Sequence, residues 1–259
     1  MRQEARIAMQ TGRIDVGGAV LNVVESGVRG GSPLLLLNPG RANLRVWDPF
    51  LPVLEPRWRV IRHDHRGAGA SEPARDGVYE IASFADDAAR LLEALRVGRA
   101  AVVGAGFSAR TALQLAVRHP ERVIALALFD ATVFPPVTRE QAEAAERAAA
   151  VARREAGLPE PSPDPAWFTH ADPTLAFSTL ASVFRQPDQS HVLPLVACPT
   201  LIACGRQDPN WDASVFMSRA IADCEFAPVE AAGHGSLLQQ PAACAEILIS
   251  FLERVLPAR

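Results

Sequence analysis

The chain has 259 residues, of which 49% are hydrophobic and 21% charged, and its formal net charge is −3. This balance predicts one compact unit with an ample core, and the lack of a basic stripe argues against nucleic acid as a partner. The N-terminal stretch MRQEARIAMQ lacks the apolar run of a signal peptide, and no later segment is long enough to span a membrane. We therefore expect a cytoplasmic protein, with no membrane partner, that acts on a small molecule.

The residue inventory limits the chemistry further. No lysine is present, which excludes Schiff-base and lysine-nucleophile mechanisms. The four cysteines have neither C-x-x-C spacing nor histidine neighbours at metal-binding intervals, so free thiols are expected. His63 and His65 alternate at the end of an extended segment, but no third ligand is visible, and we predict no metal and no cofactor.

The first third of the chain shows strand patterns. Two extended segments between residues 12 and 26 flank Gly17 and Gly18, which is a hairpin signal. The uninterrupted apolar run at residues 34–37 is typical of strands buried on both faces, and residues 58–63 form the next predicted strand. Residues 81–96 then place apolar side chains at helical spacing, with Ser83 or a neighbour as the expected N-cap.

The central stretch, residues 100–123, predicts a buried strand, a sharp turn at Gly106 and an amphipathic helix that ends at His119 and Pro120. It resembles the nucleophile elbow of α/β-hydrolases, with the pattern G-H-S-M-G-G and a helix ending H-P-E-R-V, without a gap. In that register Gly106 occupies the position of the nucleophilic serine. Glycine adopts the strained elbow conformation freely, so the substitution suits a site that no longer needs the hydroxyl.

Two later segments continue the resemblance. Residues 198–209, CPTLIACGRQDP, are similar to the family's C-P-T-L-V-I-x-G-x-x-D-P, and residues 231–241, AAGHGSLLQQP, match its A-G-H loop. The likeness implies that Asp208 is the acid and His234 the general base, in the family's chain order. Asp130 follows a buried strand, where some family members carry the acid, but we interpret it as a hydrogen-bonding loop residue.

Residues 38–48, NPGRANLRVWD, resemble the N-S-L-G-T-x-L-x-M-W-D segment of 3-oxoadipate enol-lactonases, although residues 39–41 differ. The family register implies an oxyanion hole formed by the backbone N–H groups of Gly40 and Phe107. Residues 64–71, DHRGAGAS, are a close match to the family turn D-x-R-G-x-G-x-S, in which the acid and the arginine are usually structural.

The resemblance implies an α/β fold of the α/β-hydrolase type: an eight-stranded, mostly parallel sheet with helices on both faces and a small helical cap. Residues 1–134 and 195–259 would form the core, and residues 135–194 the cap. Side chains proposed for the substrate pocket are Arg41, Trp47, Ser108, Trp167 and Phe168, with Phe177 and Phe184 as further cap candidates. The oligomeric state stays open, with a homodimer as one option.

Three functions are compatible with these residues. The first is an enzyme that uses the His234–Asp208 dyad as a general base on a small activated carbonyl, lactone or enol substrate, without a covalent intermediate. The reaction would be non-covalent hydrolysis, a lyase- or isomerase-type reaction, or cofactor-free chemistry by analogy with oxygenases of this fold. The second is a non-catalytic pseudo-hydrolase that binds a ligand or partner. In this respect the chain resembles the N-myc downstream-regulated family, which has the same fold without the serine and is regarded as non-hydrolytic. The third is covalent hydrolysis through Ser108.

Overall fold

The computed structural model describes residues 6–175 and 187–256, and an eight-stranded sheet forms its centre. The strand order is β1-β2-β4-β3-β5-β6-β7-β8. The first strand pairs antiparallel with the second, and the second with the fourth, whereas the remaining neighbours are parallel. The predicted mostly parallel sheet is confirmed. The strands are β1 (Arg6–Asp15), β2 (Val20–Val28), β3 (Pro33–Leu37), β4 (Arg59–His63), β5 (Ala100–Ala105), β6 (Val123–Phe129), β7 (Thr200–Gly205) and β8 (Cys224–Val229).

Helices cover both faces of this sheet. The α-helices in the described ranges are α1 (Leu51–Leu54), α2 (Ile81–Ala94), α3 (Phe107–Arg118), α4 (Arg139–Glu155), α5 (Trp211–Ala220), α6 (Ser236–Gln239) and α7 (Pro241–Val255). Short 3-10 helices span Leu44–Phe50, Pro120–Arg122, Pro165–Phe168 and Ser190–Leu195. None of the described helices combines the length and the apolar content needed to cross a bilayer.

The core consists of two apolar clusters, one on each face of the sheet, because strand side chains alternate. Leu35 and Leu37 of β3 pack into the cluster that contains α2 and α3, whereas Leu34 and Leu36 pack into the one that contains α7. A strand that is buried on both faces has no polar position, which explains the four consecutive leucines.

The N-cap residues of two helices compare differently with what the sequence pattern indicates. Thr138 caps α4 through a reciprocal capping box with Gln141, as a threonine three residues before a glutamine predicts. The expected cap at Ser83 is wrong, because α2 begins after Glu80 without a side-chain cap and Ser83 lies inside the helix. The division into core and cap stays a prediction, and Phe177 and Phe184 lie outside the described residues.

Helix α4 is tied to the loop that follows β8. The buried Arg153 donates from Nη1 to Gln239 Oε1 at 2.7 Å and from Nη2 to Glu146 Oε1 at 3.1 Å. Gln239 Oε1 also accepts the backbone N–H of Gly233, at 2.7 Å. This network fixes the loop before His234 against a helix that borders the site described below.

Candidate active site

The sharp turn between β5 and α3 has the backbone geometry that the sequence predicted. Gly106 has φ +54° and ψ −113°, a conformation that costs other residues about 1–3 kcal/mol. Its N–H donates to the carbonyl of Phe129 on the neighbouring strand, at 2.9 Å. A Cβ at Gly104 would collide with the Ser108 carbonyl, so the close approach of α3 to β5 also requires a small residue there.

His234 lies directly over this turn. A Cβ built on Gly106 would be 3.3 Å from His234 Nε2. The other ring nitrogen, Nδ1, lies 3.0 Å from Oδ2 of Asp208, whose side chain is fully buried. Asp208 follows β7 and is held by the N–H of Asn210, which donates to its Oδ1 at 2.8 Å. The two residues form a hydrogen-bonded pair with one imidazole nitrogen left facing the elbow.

The carboxylate of Asp208 stabilises the protonated form of His234. The surrounding protein disfavours the imidazolium, but the hydrogen bond and charge of Asp208, with the charges of Asp130 and Glu146, outweigh this and raise the pKa of His234 to about 9. The ring is accessible nonetheless, since 51% of its side-chain surface is exposed. His234 is therefore mainly protonated at neutral pH in the free protein.

Asp130 supports the loop that carries His234. It has φ +50°, and its carboxylate accepts the N–H groups of Gly205, Gly235 and Ser236 at 3.1, 3.1 and 2.7 Å. Burial and the nearby Asp208 raise its pKa to about 6, against the opposing effects of His234 and the backbone donors. These contacts make Asp130 a structural hydrogen-bond acceptor, and His234 takes its side-chain partner from Asp208.

A cavity of about 710 Å³ opens over the elbow and the imidazole. Gly40 and Phe107 are in its wall, and neither backbone N–H has an acceptor among the described residues. Arg41 and Phe168 also line it, although contact of these four residues with a substrate stays a prediction. The wall is completed mainly by apolar side chains, including Phe134, Pro136, Val137, Ala142, Leu237 and Leu238.

The prediction that Ser108 lines the pocket is wrong. Its side chain is fully buried beneath the elbow, where Oγ donates to the carbonyl of Leu37 at 2.8 Å and accepts the N–H of Ala105 at 2.9 Å. The hydroxyl therefore joins β3, β5 and α3. A covalent role for Ser108 has no geometric basis in this structure.

The two tryptophans predicted for the pocket also lie outside the cavity wall. Trp47 is completely buried in the core and packs edge-on against Phe50, with ring centroids 5.4 Å apart. Trp167 packs against the same apolar cluster, and its carbonyl accepts the N–H of Asn43 at 2.8 Å. Both predictions are wrong because the large apolar surface of tryptophan is used for packing.

Sequence reasoning missed two residues of the site. Arg110 lies one helical turn beyond Gly106 and is 95% buried in the cavity wall. Asn210 also lines the cavity, with Nδ2 3.4 Å from His234 Nδ1. The signal for Arg110 was its i+4 spacing from the elbow glycine, which places both residues on one helix face.

One cluster in the described part of the chain has metal-ligand types: Asp130, Cys204 and Asp208, with ligand atoms within 4.8 Å of one another. Its carboxylates already accept the hydrogen bonds given above, and burial raises the pKa of the Cys204 thiol. His63 and His65 instead pack edge-on in an aromatic group, and burial lowers the pKa of His65 to about 4. The absence of a metal stays a prediction.

The fold agrees with the family comparison. Residues 33–167 match the model of the alpha/beta hydrolase fold family, which is more than half of the chain, and the chain belongs to this family.

Its relatives include named hydrolases. The chain is 35% identical to the 2-(acetamidomethylene)succinate hydrolase of Mesorhizobium japonicum over 123 residues, which are 47% of this chain and 43% of the relative. It is 37% identical to the 2-hydroxymuconate semialdehyde hydrolase of a Pseudomonas species over 129 residues, 48% of this chain and 45% of the relative. The chain thus matches less than half the length of these curated relatives.

Among solved structures, the enol-lactonase of Burkholderia xenovorans LB400 superposes with a TM-score of 0.77 and 24% identity, covering 93% of this chain and all of that one. This likeness concerns the fold alone.

Proposed function

We propose that this protein is a hydrolase-fold enzyme in which His234, held by Asp208, activates water or abstracts a proton at a small activated carbonyl compound. The observation that carries the proposal is the position of His234 Nε2, 3.3 Å from where a Cβ at Gly106 would lie. With no side chain at Gly106, that space is free for a water or a substrate atom.

In the hydrolytic form of the reaction, Nε2 takes a proton from a water as its oxygen bonds to the carbonyl carbon. The negative charge that develops on the carbonyl oxygen would be stabilised by the N–H groups of Gly40 and Phe107, each worth roughly 10²–10³ in rate. The imidazolium then returns the proton to the leaving oxygen as the carbon–oxygen bond breaks. General-base assistance adds about 10²–10⁴, which suffices for an activated lactone or enol ester.

The raised pKa of His234 sets the conditions for this chemistry. With a pKa of about 9, only about one molecule in 100 carries the neutral base at pH 7. The same pKa makes the imidazolium persistent enough to protonate the leaving group. An enzyme of this kind should work better in mildly alkaline solution.

The test is turnover of a panel of small enol lactones and vinylogous carbonyl compounds by the wild type and by His234→Ala and His234→Gln. Both variants should lose turnover by at least about 10²-fold while their ligand affinity, measured by calorimetry, is retained. His119→Ala is the matched control, since His119 bonds Asp86 and is not in the cavity wall. Unchanged turnover in the His234 variants overturns the proposal, and retained binding with no turnover in the wild type favours the non-catalytic alternative.

A further inference from the structure

The cavity wall contains a buried cation with no matching anion. Arg110 is 95% buried, and no carboxylate oxygen within the described ranges lies within 4 Å of its guanidinium. Its hydrogen bonds to described residues go to neutral acceptors: Nη2 donates to the carbonyl of Pro187 at 2.8 Å, and Nε to Gln189 Oε1 at 3.4 Å. Burying an arginine without a paired carboxylate is costly, so such groups usually have a partner.

The charges around Arg110 reinforce this imbalance. Arg41, Arg139 and His234 also line the cavity, whereas Asp130 is its only acidic lining residue in the described part of the chain and is occupied by three backbone donors. Asp188 lies near Arg110, but burial outweighs its effect and lowers the pKa of Arg110. The interior of the cavity therefore favours an anion.

The distance between Arg110 and the elbow limits the kind of anion that can bind. Gly106 and Arg110 are separated by one turn of α3, about 5.4 Å along the helix axis, and both line the cavity. A ligand whose carbonyl lies over Gly106 can reach Arg110 with a group two or three bonds away. The planar guanidinium fork matches a carboxylate, with two parallel hydrogen bonds.

We propose that Arg110 binds the carboxylate of a keto acid or lactone acid whose reacting carbonyl lies at the elbow. The inference rests on the proposed function for the placement of the carbonyl, and it names the substrate class. Arg41 and Arg139 also line the cavity but lie at exposed positions, where an ion pair with a ligand stays hydrated and gains little.

The test compares binding of levulinate, a small keto carboxylate, with that of its uncharged methyl ester. Arg110→Gln should weaken levulinate binding by roughly 10- to 100-fold and leave the affinity for methyl levulinate unchanged. Arg110→Lys, which keeps the charge but not the fork, should lie between the two. Arg118→Gln is the matched control, because Arg118 lies on the same helix, bonds Asp86 and is not in the cavity wall; it should change levulinate affinity by less than about fivefold.

Calorimetry or ligand-observed NMR gives these affinities without turnover, so the result is separate from the test of His234. Equal levulinate binding by the wild type and by folded Arg110→Gln and Arg110→Lys overturns the proposal. So does a wild type that does not distinguish levulinate from its ester. If Arg110→Gln fails to fold, as its melting curve would show, Arg110→Lys alone decides.

Discussion

Replacing Gly106 with serine should place a hydroxyl nucleophile next to the imidazole of His234. The added Cβ would lie 3.3 Å from His234 Nε2 and 3.6 Å from Cε1, so the ring must shift by a few tenths of an ångström. It has room to do so, since half of its side chain is exposed. The new Oγ is one bond beyond Cβ and comes within hydrogen-bond reach of Nε2, about 2.6–3.2 Å.

The substitution has a predictable stability cost. A non-glycine residue at φ +54° and ψ −113° loses about 1–3 kcal/mol, which for a chain of this size corresponds to a fall of roughly 2–12 °C in melting temperature. Gly106→Ala bears the same strain without the hydroxyl, so the two variants should melt together and differ only in chemistry.

The assay is covalent labelling by a serine-directed fluorophosphonate, followed by intact mass and by hydrolysis of p-nitrophenyl acetate. Gly106→Ser should gain one adduct and hydrolyse the ester at least about 10²-fold faster than the wild type. Gly106→Ala and the double variant Gly106→Ser with His234→Ala should not. A folded Gly106→Ser that neither labels nor hydrolyses would refute the placement of His234 over the elbow.

Four further predictions concern the contacts of the site and of the residues that support the fold around it. The value of kcat/KM should rise about tenfold per pH unit and level near pH 9, since His234 must be neutral to act as a base; a profile that is flat between about pH 6 and pH 9 contradicts this. Because the same pKa is raised above its usual 6.5, the stability contributed by the Asp208–His234 pair is fully present below about pH 6.5 and lost as the pH rises through about 9. Asp208→Asn should therefore lower the free energy of unfolding, measured with urea, by more at pH 6 than at pH 10. Ser108→Ala should lower the free energy of unfolding by about 1–3 kcal/mol, by leaving the Leu37 carbonyl and the Ala105 N–H unsatisfied, without loss of turnover; loss of turnover in a folded variant would restore a catalytic role. Asp87→Ala should lower the free energy of unfolding by about 3–5 kcal/mol, because it removes both 2.6 Å hydrogen bonds of the buried Arg66. A change close to zero would show that the Arg66–Asp87 pair is not buried in solution.

The sheet could be predicted from the sequence because its signals are local. Leu34 to Leu37 and Val123 to Phe129 are uninterrupted apolar runs, and the glycines at 104 and 106 mark a turn that larger residues enter only with strain. Asp208 and His234 were instead identified by the resemblance of their segments to the family's acid and histidine loops, and they lie three and five residues after the ends of β7 and β8.

The cavity wall could not be predicted in the same way, because burial depends on how elements pack. Trp47 and Trp167 look like ligand contacts by residue type, yet tertiary packing places them in the core. Ser108 is adjacent to the elbow in sequence but faces the strands beneath it, while Arg110, two residues further on, lines the cavity. A change of two positions along a helix reverses the face, and residue type alone does not show which face meets solvent.

If the proposed function holds, no enzyme side chain forms a covalent bond with the substrate at any stage of the reaction. The most direct measurement is the intact mass of the enzyme quenched during turnover of a saturating enol lactone. Product should form while the protein mass stays unchanged at every time point. A transient increase equal to the acyl group of the substrate, on any residue, would contradict it.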